Sequence, residues 1–394
     1  MNKLKNYLFW YIGFNTTFFI FRDAFKIVKI LYVGCIVILA FLSVYSIFNK
    51  LNKLGNQWVI FKLLIFIIAL VLSNCYGKEF FTKNLIGSAS IILISAIFMK
   101  KLEYEEVDYF IKGYKLSILI DFIYAGVQLI IILVYKININ NYLLYYIGSR
   151  DEISDRITNR IAGLCWDPYL LGMFCATGFF LFKNKLLRIY IVILLYFTFS
   201  RTGQVSFFVA FIYYYFPYIK KRLNYKNVCL LFALLLFIPI IMPTILKKLD
   251  FNRGMNRQSA GWRRVEYFQK IPDILALDNN IIISLFGCAP YYSGARFYYS
   301  KLDTVTNRME HTPYWGIECD YSSIILGRGI IGFLVYCIMY LTIIFSCRKR
   351  VVKTLALCFF VGGLGYSYDL AIFSNFIVFF TLNWNKSFDK ILEY

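Results

Sequence analysis

Residues 116–135 read LSILIDFIYAGVQLIIILVY, twenty residues with a single charge, Asp121. A helix needs roughly 20 mostly apolar residues to cross a hydrocarbon core about 30 Å thick. A stretch that is apolar on every side has no face to turn to water. The same pattern recurs outward in both directions, at 6–21, 30–48, 58–73, 84–99, 161–182, 186–200, 204–219, 228–246, 322–346, 352–367 and 370–384. The reading is an all-α polytopic membrane protein with about twelve transmembrane helices, some of them short. Composition agrees: the 394 residues are 60% hydrophobic, 20% aromatic and only 16% charged, with a mean hydropathy of +0.61. Soluble domains carry about a quarter charged residues, so a two-domain soluble enzyme is excluded. Residues 1–394 are read as one integral membrane domain.

Lys and Arg number 43 against 22 Asp and Glu, a formal charge of +21. In a soluble chain that excess would raise nucleic acid as a partner, but in a membrane protein its position carries the meaning. With the N-terminus cytoplasmic, the inner segments and termini hold twenty-one Lys and Arg and the short outer loops hold ten. This positive-inside bias places both termini in the cytoplasm. Met1 to Lys5 and the apolar run behind them read as an uncleaved first span, since no small-residue cleavage site follows. Of the ten cysteines, Cys35, Cys175, Cys229, Cys337 and Cys358 lie inside apolar runs, where a thiol acts as a small hydrophobe. No Cys/His spacing suits a metal.

Residues 247–321 then form one large extracytoplasmic loop, and loops of that length are usually functional. Its ten basic residues face Asp250, Glu266, Asp273, Asp278, Asp303, Glu310, Glu318 and Asp320. Trp262, Val265, Phe268, Ile271 and Leu275 recur at helical spacing, with Arg263, Glu266, Tyr267 and Lys270 on the other face. They predict an amphipathic helix on the outer membrane surface, or one packed on the bundle. Cys288 and Cys319 fall in the same loop and can pair if the compartment is oxidising.

Three constellations lie on the outer side of this topology. The first is Ser200-Arg201-Thr202-Gly203, where an Arg at a membrane boundary meets the free amides of a helix start and makes an anion site; it also reads as a tight turn with a snorkelling Arg. The second is Asn159-Arg160-Ile161-Ala162-Gly163 with Asp167-Pro168 and Gly172, in which Asp167 doubles as a helix N-cap. The third joins Gly261-Trp262-Arg263-Arg264, Leu285-Phe286-Gly287, Glu318-Cys319-Asp320-Tyr321 and Gly327-Arg328-Gly329-Ile330-Ile331-Gly332. Arg328, about two turns into its span, is costly there unless it is paired or faces a cavity. Asp320 and Asp369 are its candidate partners.

This arrangement resembles the Wzy-type O-antigen and capsule repeat-unit polymerases, relatives of the O-antigen ligases. The resemblance rests on many spans, one large outer loop before the last few, Ser200-Arg201-Thr202-Gly203 between two spans, Arg264 with Leu285-Phe286-Gly287, and Asp320-Tyr321 with Gly329-Ile330-Ile331-Gly332. It implies a bacterial inner-membrane glycosyltransferase acting on undecaprenyl-pyrophosphate-linked oligosaccharide, without metal, cofactor or nucleic acid, in membrane lipid, with a possible chain-length regulator as partner. Arg201, Arg160 and Arg264 would hold pyrophosphate. The ligases carry a His shortly before the Gly-Ile-Ile-Gly helix; here Glu318 stands near that place and the only His, His311, lies some seven residues earlier. That departure counts against a ligase.

The chemistry agrees with the resemblance. A sugar C1 on lipid pyrophosphate already has a good leaving group, so catalysis needs stabilisation of departing charge, which Arg201, Arg160, Arg263 and Arg264 can supply. Glu318, Asp320 or Asp167 can accept the proton of the incoming hydroxyl, and Arg328 and His311 complete the candidate binding residues. Trp262, Tyr291, Tyr292, Tyr314 and Trp315 are candidate sugar platforms. The rival is a carrier, such as a flippase of the same lipid-linked unit, supported by Lys62, Asp121 and Arg328 in or near spans and opposed by the lack of repeated halves.

Overall fold

The computed structural model describes residues 2–18, 25–49, 57–146, 160–165, 167–222, 260–277, 280–300, 313–314, 316–317, 319–347, 349–366, 369, 375 and 378–379. The protein is predominantly helical over these, with no strand among them. The long helices are α1 (Asn2–Phe14), α2 (Lys26–Asn49), α3 (Gln57–Leu72), α4 (Lys78–Phe98) and α5 (Tyr104–Tyr135). After the short α6 (Ile139–Tyr146) come α7 (Pro168–Leu181), α8 (Lys185–Phe197) and α9 (Arg201–Arg222). The loop contributes α10 (Ala260–Leu277), α11 (Ile281–Phe286) and α12 (Ala295–Tyr299), followed by α13 (Asp320–Ser346) and α14 (Arg350–Gly362).

Among the described residues five helices are long and apolar enough to cross a membrane: α2, α3 with its 3-10 extension to Tyr76, α4, α5 and α13. Their outer faces carry Ile27, Phe41, Phe48, Ile130, Val134 and Phe345 uncovered, Phe48 at 81%. In water such a belt would be an aggregation surface; in hydrocarbon it is the solvated face. This is an α-helical membrane protein. The sequence-predicted span at 228–246 and most of 370–384 lie outside the described residues.

Helix contacts are made by small residues, as expected where lipid removes the hydrophobic drive for association. At the crossing of α1 and α5, a Cβ on Gly13 would strike the Phe110 carbonyl, and one on Gly113 the Trp10 carbonyl. Thr17 and Ser117 bond across the same crossing, with hydroxyl oxygens 2.6 Å apart. Helix α5 starts at a capping box in which Glu103 N–H donates to Glu106 Oε2 at 2.8 Å. The buried Lys100 ammonium pairs with Glu106 at 2.7 Å.

Two expectations change. The sixth span was read as helical from 161, but helix starts only at Pro168, capped by the Asp167 carboxylate, which accepts from Tyr169 N–H at 2.7 Å. Residues 161–165 are buried without being α-helix, turning at Gly163 in left-handed conformation (φ 61°) into a single 3-10 turn over Gly163–Cys165. Buried backbone needs partners, and α5 provides them. Gln128 Oε1 accepts from Ala162 and Gly163 N–H at 3.0 Å each, and Asp121 Oδ1 from Leu164 N–H at 2.6 Å. Asp121, one of the charges that supported the carrier rival, anchors this segment.

The second change concerns α10. The helix exists, but Tyr267, Ile271 and Ile274 form its buried face against Phe297, Ile317, Cys319 and Leu326, while Phe268 is 36% exposed. Ile271 and Leu275 of the sequence-derived face keep to the buried side, Tyr267 joins them and Phe268 does not, so the helix packs on the loop and α13; the Trp262 and Val265 side chains lie outside the described residues. Tyr267 was assigned to the polar side because its hydroxyl offsets an apolar body.

Candidate functional site

The three constellations meet at one turn, residues 363–366 with Asp369, which follows α14. Helix α14 has 13 residues, about 20 Å at 1.5 Å per residue, short of a full crossing. Past its end at Gly362 comes a turn in which Gly363 is buried and Leu364 is 49% exposed. Asp320 N–H, at the start of α13, donates to Gly363 C=O at 2.9 Å, and Asp369 N–H donates to Asp320 Oδ1 at 2.7 Å. A Cβ on Gly365 would collide with Thr202 of the Ser-Arg-Thr-Gly motif.

On one side of this turn is a cation-bearing rim. Ser200 caps α9, its Oγ accepting from Gly203 N–H at 3.1 Å. Phe199 before it has left-handed backbone (φ 48°), a conformation that costs a non-glycine residue energy. Arg160 spans that strained hinge, donating from Nε to Thr198 C=O at 2.9 Å and from Nη2 to Phe199 C=O at 3.2 Å. Its guanidinium lies 5.1 Å from the Tyr169 ring centroid. Tyr169 stacks on Tyr366 at 5.5 Å, and the Tyr366 hydroxyl donates to Asp167 Oδ2 at 2.7 Å. Arg160 and Asp167 are thus joined through two tyrosines.

Arg201, at the first position of α9, is exposed. It lies at a cavity of about 550 Å³ lined mainly by Val192, Leu195, Tyr196, Val205 and Phe208, with Gln204 beside it. Val192, Tyr196, Val205 and Phe208 are also part of the uncovered apolar surface, so the groove opens sideways between α8 and α9. It combines one cation with a long apolar wall. Close packing of Gly172 against Gly203, where neither position has room for a Cβ, holds α7 against α9 at this level.

On the other side of the turn is a buried charge cluster. The Asp369 carboxylate bridges Lys62, whose Nζ is 2.7 Å from Oδ1, and Arg328, which bonds Oδ2. Lys62 also donates to Asn375 Oδ1 at 2.7 Å. Lys62, Arg328, Asp369 and Asp320 are 6%, 3%, 4% and 0% exposed. The charges must be mutually paired, since an isolated buried ion costs several kcal/mol. Of the two partners read for Arg328, the direct ion pair is with Asp369. Asp320 supports it through the Asp369 amide, and Tyr336 donates to Asp320 Oδ2 at 3.4 Å.

Arg328 sits in a break of α13. Gly329 has φ 69° and ψ −175° inside the helix. The break receives Leu285-Phe286-Gly287 backbone to backbone. Ala289 N–H donates to Gly327 C=O at 3.1 Å, and Cβ atoms on Gly287 or Gly329 would fall on the facing chain. The two halves of the third constellation are therefore in contact.

Arg263 and Arg264 lie on α10, with side chains outside the described residues, and Glu318 and His311 lie outside them altogether. Of the sugar-platform candidates, Tyr291, Tyr292 and Tyr314 gather along the first turns of α4, where Asn84 Oδ1 accepts from the Tyr291 and Tyr292 N–H groups. Tyr292 and Tyr314 meet edge to face at 5.8 Å, and the Tyr314 hydroxyl donates to Glu79 at 2.9 Å. Among the described residues no three His, Cys, Asp or Glu side chains converge as metal ligands would. Sequence reasoning missed Tyr169 and Tyr366, since single tyrosines are ordinary in so aromatic a chain. It also missed Asn375 as a partner of Lys62.

The fold and site together define a polytopic α-helical membrane protein in which buried ion pairs and an arginine-braced hinge flank one turn. The chain matches no protein-family model, and no curated protein matches it significantly.

Proposed function

We propose that the chain is a polysaccharide polymerase of the bacterial inner membrane. It would join undecaprenyl-pyrophosphate-linked oligosaccharide units on the outer face, for O-antigen or capsule. The single observation that carries this reading is the exposed Arg201 at the head of an apolar groove open to the bilayer, next to the Arg160-braced hinge. An anionic headgroup on a long isoprenoid tail has the same two-part chemistry. In the proposed topology twelve spans cross the membrane with both termini inside, and 247–321 covers the site from outside.

In the proposed reaction, a hydroxyl of the incoming unit's terminal sugar attacks C1 of the sugar that links the growing chain to pyrophosphate. The C1–O bond to phosphate breaks, the glycosidic bond forms, and the lipid pyrophosphate leaves with its electron pair. Arg201 and Arg160, with Arg264 from the loop, offset the charge that develops on the leaving phosphate. The hydroxyl proton passes to a carboxylate, for which Asp167 and Glu318 are the candidates. Asp320, fully enclosed, serves by holding Asp369 and the turn.

A strain lacking the gene, with and without a plasmid copy, provides the test. Collapse of the surface-polysaccharide ladder to a single-repeat band, restored by the plasmid but not by Arg201→Ala, is the expected result. An unaltered ladder refutes the proposal.

The charged cluster at the broken helix α13 favours a second reading, a carrier of the same lipid-linked unit, because transporters build sites from interrupted helices and paired intramembrane charges. A carrier mutant accumulates units on the cytoplasmic face and loses even the single-repeat band; a polymerase mutant delivers single units outside.

A further inference from the structure

Cys288 follows the Leu285-Phe286-Gly287 segment that docks on α13, and it is completely buried. Three donors from two parts of the chain converge on its sulfur. The Cys75 thiol and the Tyr76 hydroxyl reach it from the 3-10 turn after α3. Arg296 of α12, only 1% exposed, donates from Nη1 at 3.3 Å. Tyr76 stacks on Tyr299 at 4.1 Å and 12°, which holds α12 against the same turn. Cys75 is exposed. Cys75, Cys288 and Cys319 are all free thiols here, and Cys319 Sγ donates to Gly363 C=O at 3.4 Å.

A buried thiol with three donors, one of them a guanidinium, is an environment for thiolate, whereas a structural buried cysteine is inert. The Cys75 hydrogen bond, the Arg296 charge and the Tyr76 hydroxyl outweigh burial and pull the Cys288 thiol from its ordinary value down to about 6. An exposed thiol beside a buried thiolate is the arrangement of a reactive cysteine with its resolving partner.

We propose that Cys75 and Cys288 are a redox pair that closes to a disulfide, clasping the loop segment to the end of α3. The oxidant is a disulfide-bearing molecule or protein, R–S–S–R. Exposed Cys75 exchanges with it, forming Cys75–S–S–R and releasing one RSH. The Cys288 thiolate then attacks the Cys75 sulfur and expels the second thiol as RS⁻. Two protein thiols are oxidised and one external disulfide is reduced to two thiols. Because Ala289 bonds Gly327 one residue beyond Cys288, the clasp ties α3, the loop and the break in α13 together.

The test uses the full chain in isolated membranes, treated with oxidised glutathione or with dithiothreitol. Free thiols are blocked with N-ethylmaleimide, and peptides are mapped by mass spectrometry without reduction. The expected result is a peptide joining residue 75 to residue 288 after oxidation and two blocked thiols after reduction. In Cys75→Ser that peptide vanishes, and in Cys319→Ser it persists. N-ethylmaleimide on both residues after oxidation, or Cys288 joined to Cys319, overturns the proposal. The wild-type map decides this even if a variant fails to accumulate.

Discussion

Replacing Asp369 by Asn removes the one carboxylate that bridges Lys62 and Arg328. The two cations occupy the two oxygens of one group, so their charges lie at most about 7 Å apart, where two unit charges repel by roughly 2 kcal/mol at an effective permittivity of about 20. Breaking one buried ion pair by removing a partner typically costs about 3–5 kcal/mol. Here two pairs are lost and a repulsion is left, which puts the cost at the upper end, about 5 kcal/mol. The double variant Lys62→Met with Asp369→Asn leaves Arg328 opposite Asp320 and should recover at least half of that loss. Thermal midpoints of the purified protein in one detergent measure both. The expected order is wild type, then the double variant, then Asp369→Asn, the last several degrees below the first. A double variant no better than Asp369→Asn, or a single variant as stable as wild type, would refute the coupling of these charges.

Other perturbations separate site from scaffold. On the proposed function, Arg201→Ala should lower polymer formation on the order of 10²–10³-fold, the usual effect of losing one charge-stabilising donor, while lowering the thermal midpoint less than Asp369→Asn does; quantitative gels of polysaccharide and the same thermal scan measure the two. Gly329→Ala places a Cβ against the Leu285 carbonyl at a left-handed position and should cost about 2 kcal/mol or more, read as loss of monodisperse protein on size exclusion. Cys288 gives a pH dependence. A folded-state value of about 6 lies below the ordinary one, so its contribution to stability is full above the unfolded thiol's range and is lost as pH falls through about 6. Wild type minus Cys288→Ser, compared by thermal midpoint at pH 5 and pH 9, should differ more at pH 9.

Much of this fold was legible because a transmembrane helix is specified locally, by an unbroken apolar run such as 116–135. The Arg328–Asp369 pair was legible for a related reason, since a buried guanidinium obliges the chain to provide an acid. The start of α7 was not. Residues 161–165 look like the beginning of an apolar span, and only Gln128 and Asp121, placed beside them by tertiary structure, make irregular backbone affordable there. On α10 the place of Tyr267 was missed, because it looks polar by its tip and its packing on Phe297 depends on the return of the loop. The meeting of Arg160, Asp167 and Tyr366 was also hidden, because each is ordinary where it stands and only the early end of α14 brings the last to the others. Cys75 and Cys288 belong to different elements, and nothing local in either suggests the other.

The contact between Gly287 and the break at Gly327 and Gly329 is made by bare backbone, with no side chain between the chains. Contacts of this kind cannot be adjusted by small steps, because every substitution adds an atom where there is no space. In related chains these three positions should therefore stay glycine, while the aromatic and charged residues around them drift. A census of relatives would find this hinge as three unvarying positions, one in the loop and two in the broken helix, in an otherwise changeable chain.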